Sequence, residues 1–220
     1  SPTQSRTQGL GGTSAGGLLG AGFGTDAGVA AHLGFEVILI ERNPDLCSLL
    51  REALERATVV IDCTPAGNEN KELYYNKVNG PLGFIAQGSE FGFGKPYARG
   101  INDESLVRGE ERFIQVVSCN THNLSVLIKS IAGNNSNDIR LRDARFLCMR
   151  RATDMSQEGG FIASPSADRH TDEVYGTHHA RDAAQVFKTL GQDLKLFSST
   201  IKLNTQYMHT IWFSLVLEDP

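Results

Sequence analysis

One cysteine of the chain stands where the sequence predicts the start of a helix. Cys119 follows the apolar segment Phe113–Val117 and one serine, and a helix is predicted after it. A thiol at a helix N-terminus lies at the positive end of the helix dipole, which favours the reactive thiolate. Cys119 is therefore a candidate nucleophile. The alternative, a buried structural cysteine, fits the other three cysteines better because each lies within an apolar run.

A cysteine nucleophile needs a base, and six histidines are available. The adjacent pair His178 and His179 lies in a polar loop just before a predicted helix, which is an unusual place for packing residues. His122 lies one turn into the helix that Cys119 begins. Arg150 and Arg151 end a predicted strand and could supply a cationic anchor for a phosphate group.

A glycine-rich turn near the N-terminus is a candidate nucleotide site. Gly22, Gly24 and Ala27 fit the pattern GxGxxA, in which the glycines allow a tight turn and a close approach to a pyrophosphate. Glu41 ends the next predicted strand at the spacing expected for a carboxylate that accepts ribose hydroxyls, and Arg42 beside it is compatible with a 2′-phosphate. The alternative is a Rossmann-like scaffold whose cleft is empty or blocked.

The hydrophobic patterns place these residues on two kinds of sheet. Strands alternate with helices over residues 17–118, which predicts a Rossmann-like parallel sheet. Strands dominate residues 119–220, which predicts an α+β domain with a mainly antiparallel sheet and helices on one face. The predicted class is α/β, with a dinucleotide-binding domain followed by a catalytic domain. Residues 1–16 are small, polar and without periodicity, and we expect a disordered tail there.

Composition excludes several classes of protein. A net charge of −4 gives no electrostatic basis for binding nucleic acid, and no apolar run approaches the ~20 residues of a membrane span. The four cysteines have no CxxC spacing, so neither a zinc site nor any other metal site is predicted, and a disulfide framework is not expected. A reducing, cytoplasmic location fits best. The alternative is an organellar, mitochondrial location, with residues 1–16 as the remnant of a targeting peptide.

Several segments together resemble the archaeal-type phosphorylating glyceraldehyde-3-phosphate dehydrogenases. They occur in the family's order from about Val59 onwards. The matching segments are VVIDCTPAG at 59–67, KELY at 71–74, IAQGSE at 85–90, VVSCNT at 116–121, RRATD at 150–154, THH at 177–179 and MH at 208–209. The SCNT motif after a Val-Val strand is fairly specific, and the ordered set is more so.

The resemblance implies a two-domain subunit that binds NAD or NADP. It implies that Cys119 attacks an aldehyde to give a thiohemiacetal, with His178 or His179 as the general base. Hydride then passes to the nicotinamide, and inorganic phosphate attacks the resulting thioester. The implied ligands are a phosphorylated aldehyde and phosphate, and the implied assembly is a homo-oligomer or a subunit of a hetero-complex.

The resemblance also implies roles for residues around the cleft. Thr121 and either Arg150 or Arg151 would bind phosphate groups. Gln87 and Gly88 would lie near the cofactor side.

Three departures from the family pattern leave more than one interpretation open. His122 stands where the family has a threonine, the segment between the glycine turn and Thr58 is shorter than usual, and the chain stops soon after a late strand. The absence of the family's C-terminal part should expose apolar surface unless another chain covers it. The chain is therefore interpreted as an active dehydrogenase, as a degenerate paralogue serving as a structural subunit of a larger complex, or as a related semialdehyde or acyl-phosphate reductase.

Overall fold

The chain folds into two compact units. The computed structural model describes residues 15–19, 36–40, 47–88, 90–133, 138–152, 164–205 and 208–218. The first unit comprises the described residues up to Lys95 together with Val107–Val116, and the second comprises Pro96–Leu106 and the described residues from Val117 onwards.

A mostly parallel sheet lies largely in the first unit. Its strands, in chain order, are β1 (Ala15–Leu19), β2 (Glu36–Ile40), β3 (Val59–Asp62), β4 (Gly83–Gly88), β5 (Lys95–Tyr97) and β6 (Phe113–Val117). Within the described residues the sheet order is β2-β1-β3-β4-β6-β5, and β1 runs parallel to both β2 and β3, as β3 does to β4. This arrangement confirms the predicted Rossmann-like parallel sheet. β2 is added on one side of β1 and β3 on the other, so the strand order reverses between β1 and β3. Open α/β sheets bind their ligands at such a point.

Two helices and an aromatic cluster complete the described part of this unit. They are α1 (Cys47–Arg56) and α2 (Gly67–Leu73). Tyr75 and Phe84 are buried and stack with ring centroids 4.8 Å apart, and Phe84 stacks on Phe113 at 5.0 Å. Such stacked pairs stabilise a core beyond the area they bury.

The second unit contains the sheet predicted to be mainly antiparallel. Its strands are β7 (Leu141–Arg150), β8 (Ser166–Ala167), β9 (Leu196–Lys202) and β10 (Thr210–Leu217), in the order β10-β7-β9-β8. β10 is antiparallel to β7 and β8 is antiparallel to β9, whereas β7 and β9 are parallel. The mainly antiparallel sheet, and with it the predicted fold class, is confirmed.

Two helices cover one face of this second sheet. They are α3 (Cys119–Ala132) and α4 (His178–Lys188). Leu124 and Ile128 of α3, Phe187 of α4 and Phe146 of β7 share one buried cluster. The prediction that His178 and His179 lie in a loop before a helix is wrong, because they are the first two residues of α4. Thr177, which is extended at φ −125° and ψ 165°, is the residue that precedes the helix.

Two negative findings apply to the described residues. No helix among them is long and apolar enough to cross a membrane. No group of three or more histidine, cysteine or acidic side chains in the same part of the chain could hold a metal ion.

Candidate active site

Cys119 begins helix α3, as the sequence predicts, and its position is set by the serine before it. Ser118 has extended backbone angles, and its Oγ accepts a hydrogen bond from the Thr121 backbone N–H at 3.4 Å. This is the usual N-cap arrangement, in which a side-chain oxygen satisfies an otherwise unpaired helix amide. Cys119 itself is exposed, whereas Thr121 is buried with its Oγ1 3.0 Å from Ser118 Oγ.

The predicted histidine pair is joined to the start of α3 through Ser118. His179 Nδ1 lies 3.5 Å from Ser118 Oγ, and the rings of His178 and His179 have centroids 3.9 Å apart. The first turns of α3 and α4 are therefore adjacent, which brings the predicted nucleophile and the predicted bases into one part of the second unit.

Burial separates the two histidines chemically. His179 is 2% exposed, and burial, followed by the charges of His178, Arg150 and His209, lowers its pKa to about 3. His178 is half-buried, and burial together with Arg181 and Arg150 also lowers its pKa. Both rings are therefore held towards the neutral form, the form that can accept a proton.

The start of α4 is fixed from strand β9. Ser198 Oγ accepts a hydrogen bond from the Ala180 backbone N–H at 3.1 Å and shares one with Thr177 Oγ1 at 2.6 Å. Just before Thr177, Gly176 has φ +75°, and a Cβ at this position would overlap the backbone oxygen of Ser198. Because only glycine fits there, the chain can press against β9 and begin the helix at the histidine pair.

Arg150, predicted as a phosphate anchor, ends strand β7 close to this cluster. It shares a strand face with the buried Cys148. Burial, and to a smaller extent Cys119, raise the pKa of Cys148 to about 11, whereas the charge of Arg150 lowers that pKa. Arg150 and Cys119 are therefore both close enough to Cys148 to influence its pKa.

Arg151 contributes through its backbone. Its N–H donates a hydrogen bond to His209 Nδ1 at 3.1 Å. His209 is a cluster member that reasoning from residue types alone did not single out, although the MH segment at 208–209 was a signal for it.

Some buried polar atoms near these helix starts have no hydrogen-bond partner among the described residues. They are Asn120 Oδ1, Arg150 Nε, His179 Nε2 and Thr200 Oγ1. Buried polar atoms are seldom left unpaired, so such a set is typical of a place that receives a ligand or water.

The departure at His122 has a structural explanation. Its Nε2 lies 2.9 Å from the backbone oxygen of Arg99 and donates a hydrogen bond to it. His122 therefore secures the chain at Arg99 with this nitrogen.

The first unit offers a second set of predicted residues. Gly22, Gly24, Ala27 and Glu41 lie outside the described residues. Gln87 and Gly88 end strand β4: Gln87 is exposed, and Gly88 has φ +83° with open space where a Cβ would stand. The Gly88 oxygen accepts a hydrogen bond from the buried Gln115 side chain at 3.4 Å.

The loop after β3 is held by a buried carboxylate. Asp62 accepts hydrogen bonds from the Tyr75 hydroxyl at 2.8 Å, the Asn70 side chain at 3.0 Å and the Thr64 backbone N–H at 2.8 Å. Burial and the neighbouring Asp62 raise the pKa of Tyr75, which keeps its hydroxyl protonated as a donor. This network fixes the loop at the edge where β1 and β3 end.

Comparisons with known proteins connect the chain to dehydrogenases at low identity. It is 25% identical over 198 residues to the glyceraldehyde-3-phosphate dehydrogenase of Pyrobaculum arsenaticum, an alignment covering 85% of this chain and 55% of that enzyme. The enzyme of the same name from Archaeoglobus fulgidus is 29% identical over 185 residues, covering 79% of this chain and 48% of that enzyme. The chain thus spans about half the length of the curated relatives it matches.

A different similarity applies to the N-terminal part. Residues 19–91 match a family model described as "Putative SAM-dependent methyltransferase". The ribosomal RNA small subunit methyltransferase J of Coxiella burnetii is 57% identical over 42 residues, covering 19% of this chain and 16% of that enzyme. Because the Pyrobaculum alignment covers 85% of this chain, it overlaps the segment that matches the methyltransferase family.

Proposed function

We propose that the chain belongs to an NAD(P)-dependent dehydrogenase that oxidises a phosphorylated aldehyde, with glyceraldehyde 3-phosphate as the expected substrate. The observation that carries this proposal is the adjacency of two helix starts, one opened by Cys119 and the other by His178 and His179, joined through Ser118. The similarity to archaeal glyceraldehyde-3-phosphate dehydrogenases supports the same chemistry.

The reaction begins at Cys119. Its thiolate attacks the aldehyde carbon, a C–S bond forms, and the aldehyde oxygen becomes the hydroxyl of a thiohemiacetal. We assign the general base to His178, because its ring is only half-buried, whereas burial lowers the pKa of His179 to about 3, far below the pH at which a base would act. His179 then serves as a hydrogen-bonding neighbour of Ser118 and of the bound ligand.

NAD or NADP is assigned to the first unit. Gly22, Gly24, Ala27 and Glu41 would hold it. The described strands reverse their order between β1 and β3, which is where open sheets of this kind bind ligands. The open space beside Gly88 fits the close approach of a ligand to the backbone. When bound, the cofactor supplies the acceptor for the hydride that leaves the Cys119 adduct.

Phosphate groups are assigned to the second unit. Thr121 and Arg150 or Arg151 bind the phosphate of the aldehyde and the attacking inorganic phosphate. Phosphate attack on the thioester breaks the C–S bond, releases an acyl phosphate and restores the Cys119 thiolate. Arg150 fits this role because a guanidinium pairs well with phosphate oxygens.

The direct test is formation of NAD(P)H from glyceraldehyde 3-phosphate, phosphate and either nucleotide. We expect Cys119→Ser to abolish the reaction, while Cys47→Ser, a matched change on α1, leaves it intact. His178→Asn should lower kcat by about 10²–10⁴-fold, and His179→Asn by much less. A wild-type chain that forms no NAD(P)H, or a Cys119→Ser variant that remains active, contradicts the proposal.

A second candidate function follows from the family match over residues 19–91, which favours S-adenosylmethionine as the ligand of the first unit. Calorimetric titration with NAD⁺, NADP⁺ and S-adenosylmethionine separates the candidates, since each predicts saturable binding of a different compound. A chain that binds none of them and co-purifies in fixed ratio with other proteins would instead support a structural subunit.

A further inference from the structure

Three buried hydrogen-bond donors of the second unit have no acceptor among the residues that the structure describes. Thr200 is 2% exposed, and its hydroxyl has no partner among the described residues. The same holds for Nε of Arg150 and Nε2 of His179. Thr200 is new to this cluster, because neither its residue type nor the resemblance singled it out.

Strand register places Thr200 in the cluster. β7 and β9 run side by side with Cys148 opposite Thr200, and Arg150 follows Cys148 on the same strand face. Leu196, Ser198 and Thr200 alternate as the buried face of β9, which is the face that the helices cover. Thr200 therefore points to the same side of the sheet as Cys148 and Arg150.

The histidine reaches this region from α4. Ser198 lies two residues before Thr200 on the same face of β9, and its hydroxyl accepts a hydrogen bond from the Ala180 backbone N–H. The first turn of α4 therefore lies over this stretch of β9. His179 immediately precedes Ala180. The charge of Arg150 is among the causes that lower the pKa of His179.

The chemistry of the three atoms points to an anion. The Thr200 hydroxyl and Arg150 Nε–H are donors, and the ring of His179 donates from Nε2 when its Nδ1 accepts from the Ser118 hydroxyl. A guanidinium and two neutral donors suit a tetrahedral oxyanion, since charge-assisted hydrogen bonds are the strong ones.

We propose that Thr200 binds an oxygen of a phosphate group, together with Arg150 and His179. The inference rests on the proposed function for its choice of phosphate as the anion. Two sources share this chemistry, namely free inorganic phosphate and the phosphate monoester of a substrate, and the test treats them separately.

The test measures binding without turnover. Histidine ring signals in NMR spectra of the full chain are followed during titration with inorganic phosphate and, separately, with glycerol 3-phosphate. We expect Thr200→Val to weaken binding of at least one probe by about tenfold or more, because a hydrogen bond to a charged group is lost. Thr200→Ser, which keeps the hydroxyl, should bind within about threefold of the wild type.

Thermal unfolding gives the second readout. Because the Thr200 hydroxyl has no partner in the described part of the chain, Thr200→Val should keep or raise Tm. Thr189→Val is the matched control: the Thr189 hydroxyl donates to the Val186 oxygen at 2.6 Å and accepts from Asn102 at 2.9 Å. Thr189→Val should therefore lower Tm and leave phosphate binding unchanged.

The inference is overturned if the wild type binds neither probe, if Thr200→Val binds both as the wild type does, or if it lowers Tm as Thr189→Val does. A chain that binds phosphate through Thr200 but forms no NAD(P)H would refute the dehydrogenase and keep the phosphate site. An active chain whose Thr200→Val variant binds both probes normally would refute the phosphate role of Thr200 alone.

Discussion

The buried His179 makes a quantitative prediction about stability in acid. Its pKa is about 3 in the folded chain, against an ordinary value of 6.5. Between these values the unfolded chain binds a proton that the folded chain does not, so falling pH favours unfolding. The stabilisation is complete above about pH 6.5 and is lost progressively as pH falls towards 3. From pH 7 to about pH 5 the loss is about 2 kcal/mol.

Urea denaturation at a series of pH values measures this loss. The single tryptophan, Trp212, lies on β10, so its fluorescence reports unfolding of the second unit. His178, whose pKa is also lowered, adds to the loss, whereas Asp182, whose pKa is raised by burial, opposes it. A comparison with a variant that lacks the His179 ring therefore isolates the contribution of that ring.

His179→Asn is the suitable variant, because the amide can still bond to Ser118 but does not titrate. We expect wild type and variant to converge in free energy of unfolding as the pH falls from 7 to 5. The wild type should lose about 2 kcal/mol more than the variant over this interval. Parallel pH profiles for the two proteins would show that His179 is not held neutral by burial, and would refute the reasoning.

Three further predictions concern packing and reactivity. Gly176→Ala should lower the free energy of unfolding by several kcal/mol, and Gly191→Ala by only about 1–2 kcal/mol. Both glycines have φ +75°, but only at position 176 would the added Cβ overlap the backbone oxygen of Ser198. Equal losses in urea denaturation would contradict this. Tyr75→Phe should cost about 1–3 kcal/mol, since it removes a donor from a buried carboxylate, and an unchanged Tm would count against that network. Iodoacetamide at pH 8 should modify Cys119 well before Cys148, which is buried with its pKa raised to about 11, and peptide mass spectrometry would expose the reverse order.

Local patterns predicted the start of α3 correctly. An apolar strand, a serine and then Cys119 form a sequence-adjacent signal, because the N-cap side chain and the amide it satisfies are three residues apart. The start of α4 was mispredicted for the opposite reason. Its first turn is held by Ser198, a residue of a later strand, so no nearby signal marked His178 as helical.

The remaining site residues depend on strand register. Thr200 becomes part of the cluster only because β9 pairs with β7 so that Thr200 stands opposite Cys148. The two residues are far apart in sequence, and alternation within each strand gives the buried face but not the neighbour across the sheet. His209 joins for a similar reason, through a bond to the Arg151 backbone that side-chain types do not encode.

The parallel pairing of β7 and β9 has a kinetic consequence. Parallel neighbours need a long crossover connection, and here that connection contains β8 and α4. Loop-closure entropy opposes such distant pairings until they are made, so folding steps that depend on them are slow. The histidine pair is carried on this crossover, and the helix turn that holds it is fixed by Ser198 of β9. We therefore expect the Cys119 thiol to be open to oxidation or alkylation during refolding before the histidine pair packs beside its helix.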